Sequence, residues 1–304
     1  MLLGELLVLG GSLGWAASNV VARTARSAHA IHVSVMHSWV ALAVLMAFGL
    51  AIGLGDDMLR TPWRAALLLA TGAGLGAVGN IAFFTAVARG EVGRTFTTTT
   101  SLNVLFSILA GWLALGESLG ATSIIGAVAI LVGVYIVNRQ RPAPSATGAA
   151  APARAVAHRR FTPGVVALAA FAASLWSIGL VATKVGLRDS DVFTGAVLRN
   201  LVPAVAYLGF AVLSPTVRMR GVSRTDLSRL AISAMFFVGS LLGWTFALQR
   251  SDASITAILS ATSPVFAYVL AIAFLHEKVR LQVLAGIAVC LGGVVLIVGL
   301  GEAF

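Results

Sequence analysis

The chain has 304 residues, of which 59% are hydrophobic and only 11% charged, with a mean hydropathy of +0.96. A soluble domain averages about 25% charged residues, so this composition excludes a water-facing globule; runs of about 20 apolar residues, each able to cross a hydrocarbon core of about 30 Å, point to a polytopic helical membrane protein. The net charge of +10 does not mark a nucleic-acid binder, because the arginines are spread over short inter-helix segments and not gathered on one soluble face.

Ten spans are predicted in chain order, at about 3–22, 33–54, 63–88, 94–114, 120–138, 163–184, 192–213, 228–249, 254–274 and 281–300. The first has no basic residues ahead of it and carries Glu5, so it reads as a retained span and not a cleaved signal. Gly55-Asp56-Asp57 ends the second span, Arg89-Gly90-Glu91 follows the third, and Ser214-Pro215 closes the seventh. The longest connection, 139–162, holds Pro142, Pro144, Pro152 and five arginines, the composition of a solvated linker. It separates a first five-helix repeat, 1–138, from a second, 163–304. The single cysteine, Cys290, lies in an apolar run and excludes an internal disulfide or a cysteine-based metal site. No metal or cofactor is expected.

The two halves repeat one layout. Glu91–Val137 and Ser251–Leu300 each contain a Thr/Ser-rich apolar helix, a glutamate (Glu117 and Glu277), a short loop and a second apolar helix opening near Gly126 or Gly286. Gly14-Trp15-Ala16-Ala17-Ser18 and Leu175-Trp176-Ser177-Ile178-Gly179 keep the same spacing. Five spans per copy is an odd number, so the second copy starts on the opposite face of the membrane. Two such copies form an inverted repeat, a plan on which many secondary transporters place the substrate near the midplane.

Charge placement bears on orientation. Of the 21 basic residues, fifteen lie in or beside the loops after odd-numbered spans, five in or beside the loops after even-numbered spans, and Arg199 alone lies well inside a span. The positive-inside rule then puts the odd loops in the cytoplasm and both termini outside.

Several motifs resemble the drug/metabolite transporter superfamily, in its ten-helix EamA-type branch. They are Trp15 and Trp176, Ser263-Pro264-Val265-Phe266, Leu275-His276-Glu277-Lys278, and the glycines from Gly286 to Gly293. The resemblance covers nearly the whole chain and is weaker in the first half, where Asn103-Val104 stands in place of Ser-Pro. It implies ten helices around a central cavity and carriage of small metabolites, often amino-acid export, across a bacterial-type inner membrane. It also implies both termini in the cytoplasm, against the arginine bias. The four-helix multidrug relatives bind protons and cations at a central first-helix glutamate; here Trp15 and its neighbours occupy that depth.

Candidate site residues fall into five groups. Phe96, Thr100, Asn103 and Ser107 recur at three- and four-residue steps and share a helix face, matched by Thr256, Ser260, Ser263 and Ala267. Such a stripe either lines an aqueous cavity or lets helices approach closely. Pro264 removes a backbone hydrogen bond and kinks its helix, as a hinge or a static bend. Trp15, Asn19 and Trp176, with Asn80, Phe84 and Trp244, suit an amphiphilic or aromatic ligand, although a membrane core uses the same residues. Arg199, followed by Asn200, and His37 lie well inside their spans, where a charge marks a functional site by default; Arg199 reads as an anion anchor or as a snorkelling cation. Glu117 and Glu277 stand at equivalent span ends, as helix caps or as gate contacts.

These features converge on a secondary transporter of small organic solutes working by alternating access, with the lipid bilayer and the solute as partners and a monomer as the expected form. No Walker-type nucleotide loop is present. A flippase for a lipid or lipid-linked intermediate is the rival carrier. An intramembrane enzyme would need a His/Asp/Glu cluster or a nucleophile–base pair at depth, and the five histidines form none.

Overall fold

The computed structural model describes residues 2–25, 27–28, 30–90, 92–138, 162–213, 222–275 and 281–300, and every regular element among them is helical. The elements are α1 (Leu2–Ala22), α2 (Ala30–Ala51), α3 (Gly55–Arg60), α4 (Trp63–Arg89), α5 (Val92–Ala110) with a π turn at Gly111–Leu115, and α6 (Ala121–Asn138). The second half holds α7 (Pro163–Gly186), α8 (Val192–Leu213), α9 (Arg224–Arg250), α10 (Ala253–Ser260), α11 (Ser263–Leu275) and α12 (Leu281–Leu300). Among the described residues nine apolar segments have membrane-crossing length, and Ala121–Val137 is a shorter apolar helix. The linker at 139–161, Ser214-Pro215 and Glu277 lie outside the described residues.

Local chemistry sets several boundaries. α7 opens with Thr162 accepting from the Val165 amide, and with Pro163 in the first turn, where its missing N–H costs nothing. Ser223 caps α9 by accepting from the Asp226 amide at 3.1 Å. The ninth span is not one kinked helix, as the sequence predicts, but two. α10 ends at Ser260 and α11 begins at Ser263, with the break at Ala261-Thr262. Pro264 has no N–H for the Ser260 carbonyl, and the Ser263 hydroxyl donates to that carbonyl at 2.7 Å instead. Gly55-Asp56-Asp57, read as a breaker, begins the short helix α3.

The repeat is regular in the structure. Leu2 and Pro163, Trp63 and Arg224, and Val92 and Ala253 open corresponding helices, about 161 residues apart. By α6 and α12 the spacing has dropped by one residue. The π turn at Gly111–Leu115 absorbs the difference, since a π turn is an α-helix with one residue inserted. This corrects the pairing of the hydroxyl stripe: Thr95 matches Thr256 and Thr99 matches Ser260, one position earlier than the pairing predicted from sequence. The bonding agrees, because Thr99 donates to the Thr95 carbonyl and Ser260 to the Thr256 carbonyl.

The halves interleave. α1 packs along α9, α4 along α7, α2 along α8 and α6 along α12, so the principal seams join one repeat to the other. In lipid, close packing depends on small residues, because burial of apolar side chains gives little drive. At the α4–α7 seam a Cβ on Gly72 would lie 2.6 Å from the Gly179 carbonyl oxygen. At the α1–α9 seam the corresponding positions are Ser233 and Ser18, and Ser233 donates to the Ser18 carbonyl at 2.8 Å.

Candidate functional site

The interleaved seams leave a cavity of about 560 Å³, within the usual range for small-molecule sites. Its wall includes Trp15, Asn19, His37, Asn80, Phe84 and Thr100 from the first half. Trp176, Arg199, Trp244, Ser260, Ser263 and Pro264 join from the second. Asn103 is not on the wall; its backbone carbonyl and Oδ1 face the Ser177 hydroxyl at 3.2 and 3.3 Å. Ser107 is fully buried and shares a hydrogen bond with Ser177 at 3.0 Å. The stripe therefore divides: its end nearer Phe96 faces the cavity, and its end nearer Ser107 packs α5 against α7.

The described wall of the cavity extends toward one edge of the bundle. Asn19 and Arg23 on α1, Phe84 on α4, Phe96 on α5 and Tyr207 on α8 all lie toward the arginine-rich, odd-loop edge of the bundle. The opposite edge is tied shut. Glu117 Oε1 accepts from the Ala253 amide at 2.7 Å, and Oε2 accepts from the Ser254 amide at 3.0 Å and hydroxyl at 2.6 Å. Lys184 Nζ donates to the carbonyls of Leu248 and Ser251 at 2.7 and 2.6 Å. Gln249 Nε2 donates to the carbonyls of Leu187 and Ser190, both at 3.1 Å. Glu117 thus bonds α10 and lies off the cavity. It reaches α10 because Gly116, at φ 70° in the left-handed region that favours glycine, turns the chain after the π turn.

At the closed end, Arg199 Cζ lies 4.1 Å from the Trp244 ring centroid, and Nη1 donates to Thr245 Oγ1 at 3.2 Å. Pro203, inside α8 one turn later, cannot bond the Arg199 carbonyl. His37 stacks on Phe237 at 4.9 Å and hydrogen-bonds the hydroxyls of Ser18 and Ser233 at 3.2 and 2.7 Å, which pins α2 to the α1–α9 seam. Two aromatic groups face the space: Trp15 with Phe237 at 5.8 Å, and Phe83 with Trp176 at 5.4 Å. Tyr207, which accepts from Asn80 Nδ2 at 3.2 Å, and Phe237 were not singled out from sequence. Tyr207 carried a signal, since it follows Arg199 and Pro203 at steps of four on one face of α8. Phe237 carried none apart from its apolar neighbours.

Among the described residues no three His, Cys, Asp or Glu side chains are grouped to hold a metal. Among the described residues the cavity wall carries no Asp, Glu or Lys.

Comparison with known proteins agrees with this architecture. A family model described as the EamA-like transporter family matches residues 2–139 and 164–299, one match for each repeat. A solved structure titled only as the crystal structure of a protein is 20% identical, with a TM-score of 0.78 over 99% of this chain and 97% of that one; at this identity the likeness speaks to the fold. No curated protein matches. The chain, an all-helical membrane protein built from two repeats of membrane-length helices, belongs to the EamA-like transporter family.

Proposed function

We propose that the protein carries small amphiphilic organic solutes by alternating access, in the direction of export. The observation that supports this is the cavity at the seams between the repeats, whose described wall reaches toward the arginine-rich edge while Glu117, Lys184 and Gln249 bond across the other. Such an arrangement is one end state of a carrier whose repeats rock around a central site. With the arginine-rich loops in the cytoplasm and both termini outside, the cavity loads from the cytoplasm. The Arg199 floor and the paired aromatics make the substrate contacts, and the α10–α11 break ahead of Pro264 supplies a place to bend.

The test is solute counterflow with purified protein in proteoliposomes of defined sidedness, across anionic, neutral and zwitterionic metabolites. Saturable counterflow of at least one class supports the reading. Absence of counterflow for every class, with protein shown to be inserted and monodisperse, overturns it.

A further inference from the structure

We infer that the cavity is selective for organic anions, taking a carboxylate on a flat apolar body with Arg199 as its anchor. This deepens the carrier reading above and rests on it. The deep charge of the wall is Arg199, with no Asp, Glu or Lys among the described lining residues. An arginine at this depth is costly unless something repays its desolvation. Among the described residues the guanidinium has the Trp244 face and the Thr245 hydroxyl, and no carboxylate pairs with it. The indole holds the guanidinium plane by cation–π attraction. Thr245 takes one of five N–H donors, which leaves an edge suited to the two oxygens of a planar carboxylate.

The rest of the wall favours an apolar body over a polyhydroxylated one. Asn19 Nδ2 donates to the Trp15 carbonyl at 2.7 Å, and the hydroxyls of Ser260 and Ser263 each donate to a backbone carbonyl at 2.7 Å. Asn80 donates to Tyr207. Each of these groups spends a donor within the protein, which leaves a sugar fewer partners to replace its water. The surfaces left to the solute are rings: Trp15 is 44% exposed and Phe84 41% exposed, both on the cavity wall. A cation of the same shape meets Arg199 with like charge and no counter-ion.

Three probes of one shape and different charge test this: phenylacetate, 2-phenylethanol and 2-phenylethylamine. Binding to the purified protein is read by tryptophan fluorescence, since Trp15, Trp176 and Trp244 line the cavity, and by calorimetry. Phenylacetate is expected to bind at least about tenfold more tightly than 2-phenylethanol, the range for one charged hydrogen bond, and 2-phenylethylamine not to bind. Arg199→Gln should bring acid and alcohol to the same affinity, and Arg199→Lys should keep part of the preference. The wild-type series needs no variant, so misfolding of Arg199→Gln does not protect the assignment. Equal or tighter binding of the amine, binding of none of the three, or an unchanged acid preference in folded Arg199→Gln overturns it. Counterflow separates the two readings: flux without charge preference sinks the anion assignment and spares the carrier, while anion binding without any flux does the reverse.

Discussion

Glu117 and Ser254 join the two repeats at the closed edge: the Glu117 carboxylate accepts the Ser254 hydroxyl at 2.6 Å and its amide at 3.0 Å, and the Ala253 amide at 2.7 Å. A carboxylate from one repeat thereby caps the first turn of a helix in the other. Anions at helix N-termini are favoured because the first amides lack partners within the helix.

Removing this cap should loosen the closed edge. A hydrogen bond to a charged group is worth about 1.5–3 kcal/mol, and partial exposure of Glu117 reduces that. Glu117→Ala is expected to lower stability by about 1–2 kcal/mol, and Glu117→Gln, which keeps one acceptor oxygen, by less. Thermal unfolding in detergent measures both. A cysteine at the buried position Ala257 should also react faster with a thiol reagent in Glu117→Ala; an unchanged rate means the cap does not hold the edge shut.

Asp252, beside this cap, has its carboxyl pushed above the ordinary value by burial and by the Glu117 charge, against a smaller opposing pull from Lys184. A raised carboxyl pKa means the folded state prefers the protonated acid. Its contribution is fully present below the unfolded value of about 3.9 and is lost as pH rises through the folded value. Asp252→Asn should therefore raise the unfolding temperature at neutral pH, and the gain should fade as pH drops toward about 4. A gain that grows on acidification contradicts this sign.

The α6–α12 seam should tolerate no side chain at Gly133. A Cβ there would lie 2.6 Å from both the Gly286 carbonyl oxygen and the Cys290 amide nitrogen, with backbone on both counts. Gly133→Ala must separate the helices and should cost about 1–3 kcal/mol, the usual range for overpacking. By contrast, Gly292, with nothing within 4 Å of an added Cβ, should accept alanine with little change. Thermal unfolding of the two variants side by side gives the comparison.

The divided stripe makes a labelling prediction. In a Cys290→Ala background, cysteines at Thr100 and Ser263 on the cavity wall should react with small water-soluble thiol reagents. Cysteines at Asn103, bonded to Ser177, and at Leu105, 49% exposed on the outer surface of the bundle, should not. In oriented vesicles the reaction should proceed from the arginine-rich face, and a reporter fused at the C-terminus should register outside. Reaction from the opposite face would reverse the orientation drawn from the arginine count.

Much of the fold was legible because a bilayer leaves few choices. Every backbone amide must be paired inside its own segment, so apolar runs of membrane length become helices, and the repeated Trp15/Trp176 and Gly126/Gly286 spacing marks two copies. Arg199 stood out as a candidate for the same reason, since a charge in an apolar run is costly. Three-dimensional packing decided what composition could not. The break at Ala261-Thr262 depends on where Ser263 and Thr262 send their hydroxyls after Pro264 removes a donor. Asn103 left the cavity because α7 brings Ser177 against it, a contact between residues 74 positions apart. Which edge is closed rests on Glu117 meeting Ser254 from 137 positions away, and Trp244 became the seat of Arg199 only when α8 and α9 lay side by side. Hydropathy is a property of each segment and is written locally; partners across seams are set by how ten spans pack, and no single segment carries that information.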